Sequence, residues 1–163
     1  PHPAGEVARA LAGRLPAAAR PAVVVGPALG AGVWAHEVAR ALGLPAYFTE
    51  RADGRMTLRR GFRLERGQRV LVVEDVLTTG GSVREVLAVV RALGAVPVGV
   101  GAIVNRSGSP QPVRDEGDEG LRLTALADLT VESFEPSACP WCASGERGPA
   151  VKPGSRPSAS ASR

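Results

Sequence analysis

Two adjacent carboxylates, Glu74 and Asp75, stand just before a polar turn, Thr78-Thr79-Gly80-Gly81-Ser82, and that pairing defines the chemistry this chain could do. Backbone N–H groups of a glycine-containing turn that opens a helix converge on one spot. The positive end of the helix dipole adds to them, so the spot holds an anion. The hydroxyls of Thr78, Thr79 and Ser82 are further donors for phosphate oxygens. No lysine follows the glycines as in the GxxxxGK(S/T) loop, and no GxGxxG run occurs, so the turn is neither of the two common nucleotide cradles. Carboxylates repel a phosphate placed directly on them, but they accept hydrogen bonds from a vicinal diol and bind Mg²⁺. A ribose 5-phosphate satisfies both halves, with its diol on Glu74 and Asp75 and its phosphate on Val76, Leu77, Thr78, Thr79, Gly80, Gly81 and Ser82.

These residues need a strand before them and a helix behind. Val70 to Val73 is an unbroken aliphatic run, the pattern of a central parallel strand covered on both faces, and ligands bind at the carboxyl ends of such strands. Val83, Val86, Leu87, Val90 and Leu93 fall at offsets of three and four, one apolar stripe of a helix that Gly94 ends. The same alternation runs along the chain: a helix over 6–15, a strand over 22–25, a helix over 33–42, a strand over 46–48, a strand over 96–105 and a fifth strand over 121–129. The order predicts an α/β fold, an open, mostly parallel, Rossmann-like five-stranded sheet with flanking helices. Residues 1–134 read as its core, 135–156 as an extension carrying Cys139-Pro140-Trp141-Cys142, and 157–163 as a disordered Ser/Pro tail, with a flexible acidic loop at 115–120.

Three other segments bear on the site. Gly26 to Gly32 places three glycines between a strand and a helix, where backbone could approach a ligand closely or simply turn. Thr49 to Gly61 carries Arg51, Arg55, Arg59 and Arg60, and on composition alone it is a solvated β-hairpin or a mobile cationic loop. Arg106 follows the fourth strand, as a surface arginine or as a partner for a carboxylate, which guanidinium pairs in bidentate fashion. Cys139 and Cys142 are half a zinc site, a redox pair or two reduced thiols. His2 and His36 do not complete a four-ligand set at finger-like spacing.

Composition narrows the classes. With 20 basic against 16 acidic residues the net charge is only +4, and a polyanionic small molecule accounts for the clustered arginines better than nucleic acid does. No run approaches the ~20 apolar residues that span a bilayer, and no signal peptide opens the chain, so a soluble cytoplasmic protein is expected.

The run Val72 to Ser82 resembles the phosphoribosyl pyrophosphate (PRPP) motif of type I phosphoribosyltransferases. Together with Phe48-Thr49-Glu50-Arg51, Met56 to Phe62, Cys139 to Cys142 and Lys152 to Arg156, it looks most like the orotate phosphoribosyltransferases. The resemblance implies transfer of a phosphoribosyl group from PRPP to orotate with Mg²⁺, carried mainly by PRPP with Asp75 as the candidate protein ligand, in a homodimer. It implies that Glu74 and Asp75 hold the ribose hydroxyls and residues 76–82 the 5′-phosphate, that the Gly26 to Gly32 loop meets the pyrophosphate, and that Thr78 and Arg106 meet orotate. Asp75, Arg51 and Arg55 would serve catalysis, with Arg51 also on PRPP, from a loop that closes over the reacting centre. A purine-type salvage enzyme or a catalytically silent PRPP-binding regulator is the alternative. The family commonly has lysines in that loop, whereas the one lysine here is Lys152, and it normally carries an N-terminal hood over the base before the point where these residues start.

Overall fold

The computed structural model describes residues 2–113, 121–132 and 134–145. It forms two compact units, Pro1–Thr130 and Val131–Arg163. In the first, α1 (His2–Arg14) leads to β1 (Val23–Pro27), α2 (Gly30–Leu42), β2 (Ala46–Ala52), β3 (Arg55–Leu58), β4 (Arg69–Leu77), α3 (Gly81–Ala92), β5 (Val96–Asn105) and β6 (Leu123–Asp128). In the second, a 3₁₀ turn (Pro136–Ala138) precedes the short α4 (Pro140–Ser144). The expected tail at 157–163, the 152–156 segment and the acidic 115–120 loop lie outside the described residues.

The strands make one sheet in the order β3-β2-β1-β4-β5-β6, with every neighbour parallel except β2 and β3. The five expected parallel strands are therefore present, and a sixth, antiparallel strand is added at the edge. That strand decides between the two readings of Thr49 to Gly61 in favour of the hairpin: Ala52 pairs with Arg55 across the two residues Asp53 and Gly54. Both have positive φ, 50° and 77°, the backbone of a type I′ hairpin, whose twist matches that of the flanking strands.

Side-chain alternation explains how the sheet is sandwiched. Val23, Val25, Val70 and Val72 point to one face and pack with Val83, Val86, Leu87 and Val90 of α3. Val24, Leu71 and Val73 point to the other, against Ala8 and Leu11 of α1 and Ala35, Val38 and Ala39 of α2. Because β1 and β4 are buried on both faces they need no polar alternation, which is why the run 70–73 is wholly aliphatic. Gly26 belongs to the same packing. A Cβ there would stand 2.6 Å from the Ala31 carbonyl oxygen and 3.0 Å from that of Val73, so only glycine lets α2 start this close to the sheet.

From β1 the chain crosses by α2 to β2 on one side, while β4 pairs with the other side of β1. The strand order reverses there, and the crevice outside the carboxyl ends of β1 and β4 is where an open α/β sheet binds ligands.

Candidate functional site

Glu74 and Asp75 lie at that reversal, near the carboxyl end of β4. Glu74 is 8% exposed, and burial, reinforced by its hydrogen bond to the Asp75 side chain, pushes its carboxyl up to about 8. Near neutral pH Glu74 therefore keeps its proton and offers a hydroxyl donor as well as an acceptor. A diol, whose two hydroxyls each donate and accept, is suited to such a pair. Asp75 is half-buried, accepts from the Val76 backbone N–H at 2.6 Å, and lies so close to Gly30 that a side chain on Gly30 would collide with its carboxylate. The first glycine loop and the acidic pair thus form one surface, with the cis peptide Ala28–Leu29 in that loop.

The turn that follows is held from three directions. Gly80, in the left-handed region at φ 76°, is buried where a Cβ would meet Val113 Cγ1 at 2.8 Å and the Pro112 carbonyl oxygen at 3.1 Å. The Arg84 guanidinium donates to the Thr79 carbonyl at 2.8 Å and to that of Pro112 at 2.8 Å. The Arg106 backbone N–H donates to the Leu77 carbonyl at 2.7 Å. The first N–H groups of α3 have no intrahelical acceptor and open onto this turn, that of Gly81 donating to the Thr79 hydroxyl at 3.4 Å, so the turn can face an anion. Thr78, Thr79 and Ser82 are exposed on this turn. Val76 is 42% exposed, but Leu77 is 1% exposed and packs into the core, which leaves its side chain no part in an anion site.

The arginines divide. Arg51 pairs with Met56 across the hairpin, and Met56 packs on the α3 side of the sheet. There Arg51 donates to Glu85 of α3 at 2.7 Å and to the Gly54 carbonyl at 3.1 Å. Arg55 pairs with Ala52, so the alternation of the strands puts it on the opposite face of the hairpin. Arg51 and Arg55 are not brought onto one surface. Arg59 and Arg60 both serve Glu50, the latter with two bonds of 3.1 Å, and the Arg60 hydrogen bond holds the Glu50 carboxyl below its ordinary range.

Arg106 is exposed beside the start of the phosphate turn, and its place is set by Asn105, which is 4% exposed. The Asn105 amide donates to Asp128 at 2.7 Å and to the Ser109 carbonyl at 2.9 Å, and its oxygen accepts from the Ser107 hydroxyl at 2.7 Å. Sequence reasoning passed over Arg84 and Asn105. A polar residue at the end of an aliphatic strand was the available sign for Asn105, whereas nothing local marks Arg84.

A cavity of about 590 Å³ opens at the other, amino end of the strands, lined in part by Arg69, Arg91 and Arg122. Arg69 there closes the chain before β1, donating to the carbonyls of Ala18, Ala19 and Arg20. Its wall holds neither the acidic pair nor the Thr78 to Ser82 turn. Among the described residues no three His, Cys, Asp or Glu side chains cluster to hold a metal, and no helix is long and apolar enough to cross a membrane.

Comparison with known proteins agrees with this geometry. The chain is 51% identical over 133 residues to the orotate phosphoribosyltransferase of Desulforamulus reducens, covering 82% of this chain and 65% of that protein. It is 53% identical over 134 residues to that of Pelotomaculum thermopropionicum, covering 82% and 66%. The chain therefore spans just under two thirds of the length of these curated relatives. The solved orotate phosphoribosyltransferase from Aeropyrum pernix superposes with a TM-score of 0.61 at 26% identity, over 78% of this chain and 71% of that one. The adenine phosphoribosyltransferase from Thermoanaerobacter pseudethanolicus gives 0.65 at 16% identity, over 77% and 80%, and shares the fold. Residues 3–135 match the phosphoribosyl transferase domain, and the chain belongs to that family.

Proposed function

We propose that this chain transfers the 5-phosphoribosyl group of PRPP to orotate, giving orotidine 5′-monophosphate and pyrophosphate in pyrimidine synthesis. The observation that carries the proposal is the braced turn Thr78 to Ser82 beside Asp75 and the buried Glu74, at the point where the strand order reverses. The turn takes the 5′-phosphate and the pair takes the ribose hydroxyls. Orotate as the acceptor is supported by the identity of about half the residues with enzymes named for it, and by Arg106, an exposed cation tethered through its backbone to Leu77 next to Thr78.

Breaking the bond from C1 to pyrophosphate places negative charge on the leaving group, so cations must meet it and water must be kept away. Arg51 is the nearer source of charge: it already touches the first helix of the phosphate turn, through an exposed ion pair with Glu85 that a polyanion can displace. Arg55, on the far face of the hairpin, reaches the reacting centre only if the hairpin turns over it. Mg²⁺ fits as an ion brought by the substrate, because such an ion takes one or two carboxylates plus phosphate oxygens. Asp75 is the residue that would hold it, and the ion would neutralise pyrophosphate charge. The same reading has two copies pairing in a cytoplasmic enzyme. Leu29 and Val33, 88% and 62% exposed, are the apolar surface that supports pairing.

The test follows the ultraviolet band of orotate with PRPP and Mg²⁺ present. The band falls as orotidine 5′-monophosphate forms. A chain that binds PRPP but consumes no orotate, and instead consumes adenine or another purine, overturns the choice of acceptor.

A further inference from the structure

Cys139 and Cys142 play no part in the site described above, yet they are the two cysteines of the chain and both are free. Pro140 opens α4 immediately after Cys139, and the Ala143 backbone N–H donates to the Cys139 carbonyl at 3.0 Å, so the two cysteines stand three residues apart on one closed helical turn. The rise and radius of an α-helix put such Cα atoms roughly 5 Å apart, inside the ~4.4–6.8 Å that a disulfide spans. The Cys142 thiol and the backbone N–H groups of Trp141 and Cys142 face the Cys139 sulfur, and their pull holds the Cys139 thiol below its ordinary value while the Cys142 thiol is raised. Cys139 is half-buried and Cys142 exposed, so both are open to small reagents.

We infer that Cys139 and Cys142 are a dithiol–disulfide pair, with Cys139 the attacking sulfur and Cys142 the resolving one. A low-molecular-weight disulfide is the oxidant. The Cys139 thiolate attacks one of its sulfurs, the reagent's S–S bond breaks, and one thiolate leaves and takes up a proton. Cys142 then loses its proton, attacks the Cys139 sulfur of the mixed disulfide and expels the second thiolate. The second thiolate takes up the proton that Cys142 lost, so the protein loses two protons and two electrons and the reagent becomes two thiols.

The test equilibrates the 163-residue protein with graded ratios of reduced to oxidised glutathione, quenches with acid, alkylates and weighs it. The inference expects one species, lighter than the dithiol by two hydrogens, whose fraction follows the ratio. Cys142→Ser accumulates a glutathione adduct on Cys139, and Cys139→Ser forms its adduct at least about tenfold more slowly at pH 7. Two glutathiones on one chain, chain-to-chain disulfides, or equal rates in the two variants overturn the inference. So does tight uptake of one zinc ion per two chains with loss of thiol reactivity, which assigns the thiols to a shared metal site. None of these readouts depends on phosphoribosyl transfer.

Discussion

The loop between β4 and α3 and the hairpin of β2 and β3 both bring polar groups toward the carboxyl edge of the sheet, and they are held in opposite ways. The loop hangs from a strand buried on both faces, turns through a glycine that no other residue can replace without a clash, and has its carbonyls tied by Arg84 and Arg106. The hairpin ends in a two-residue turn at the sheet edge, and its cations are tied by the exposed pairs Arg51–Glu85 and Arg60–Glu50. Solvent screens such exposed pairs, so they tie the hairpin's arginines far more weakly than packing and buried hydrogen bonds hold the loop. On the proposed function, the firmly held loop is the part that would take the phosphate, and the weakly tied hairpin the part whose charge would follow a leaving group.

The contrast breaks first at Gly80. Gly80→Val forces a branched side chain into the left-handed region and into Val113, and should cost roughly 1–3 kcal/mol of stability together with most phosphate affinity, read by thermal melts and PRPP calorimetry. Asp75→Asn keeps the shape of the side chain and removes its charge. It should weaken PRPP binding about tenfold, ~1.4 kcal/mol, with the melting temperature little changed; unaltered binding would remove the diol role. Arg84→Ala should weaken inorganic phosphate binding less than Gly80→Val does, since the turn keeps its glycine and loses only its brace.

Glu74 sharpens the comparison through pH. The folded protein keeps its proton up to about pH 8 while the ordinary value is 4.5. Between those values the folded state binds more protons than the unfolded chain, so this group's contribution to stability falls as pH rises and is fully lost above pH 8. Glu74→Gln should flatten the melting temperature against pH over that window and raise it at the alkaline end; an unchanged slope would contradict the buried, protonated carboxyl. The smallest effect belongs to Glu85→Gln, which frees Arg51. Stability should change by less than ~1 kcal/mol, and a larger loss in chemical denaturation would mean that the hairpin is locked rather than free.

Much of this was legible in the residues, unevenly. The run 70–73 announced β4 because burial on both faces leaves no room for polar alternation, and the acidic pair with its glycine turn marked the candidate site because local backbone chemistry is enough to make one. The hairpin was only half legible. Four arginines left a mobile loop open beside the hairpin reading, and Asp53-Gly54, the dipeptide that a type I′ turn favours, was the local signal that decides between them. That Arg51 and Arg55 fall on opposite faces follows from strand register, which no single segment encodes. Arg84 lies off the apolar stripe of α3, and its work on the Pro112 carbonyl joins parts of the chain 28 residues apart, which no local pattern shows.

The division of labour is tested most directly by titrating ribose 5-phosphate, which carries the diol and the phosphate but no pyrophosphate, into the Arg51→Ala, Arg55→Ala double variant by calorimetry. If residues 74–82 bind the sugar phosphate by themselves, its dissociation constant stays within about threefold of the unsubstituted protein's, less than ~0.7 kcal/mol. A loss of tenfold or more would contradict the account, because the hairpin would then be part of the binding half.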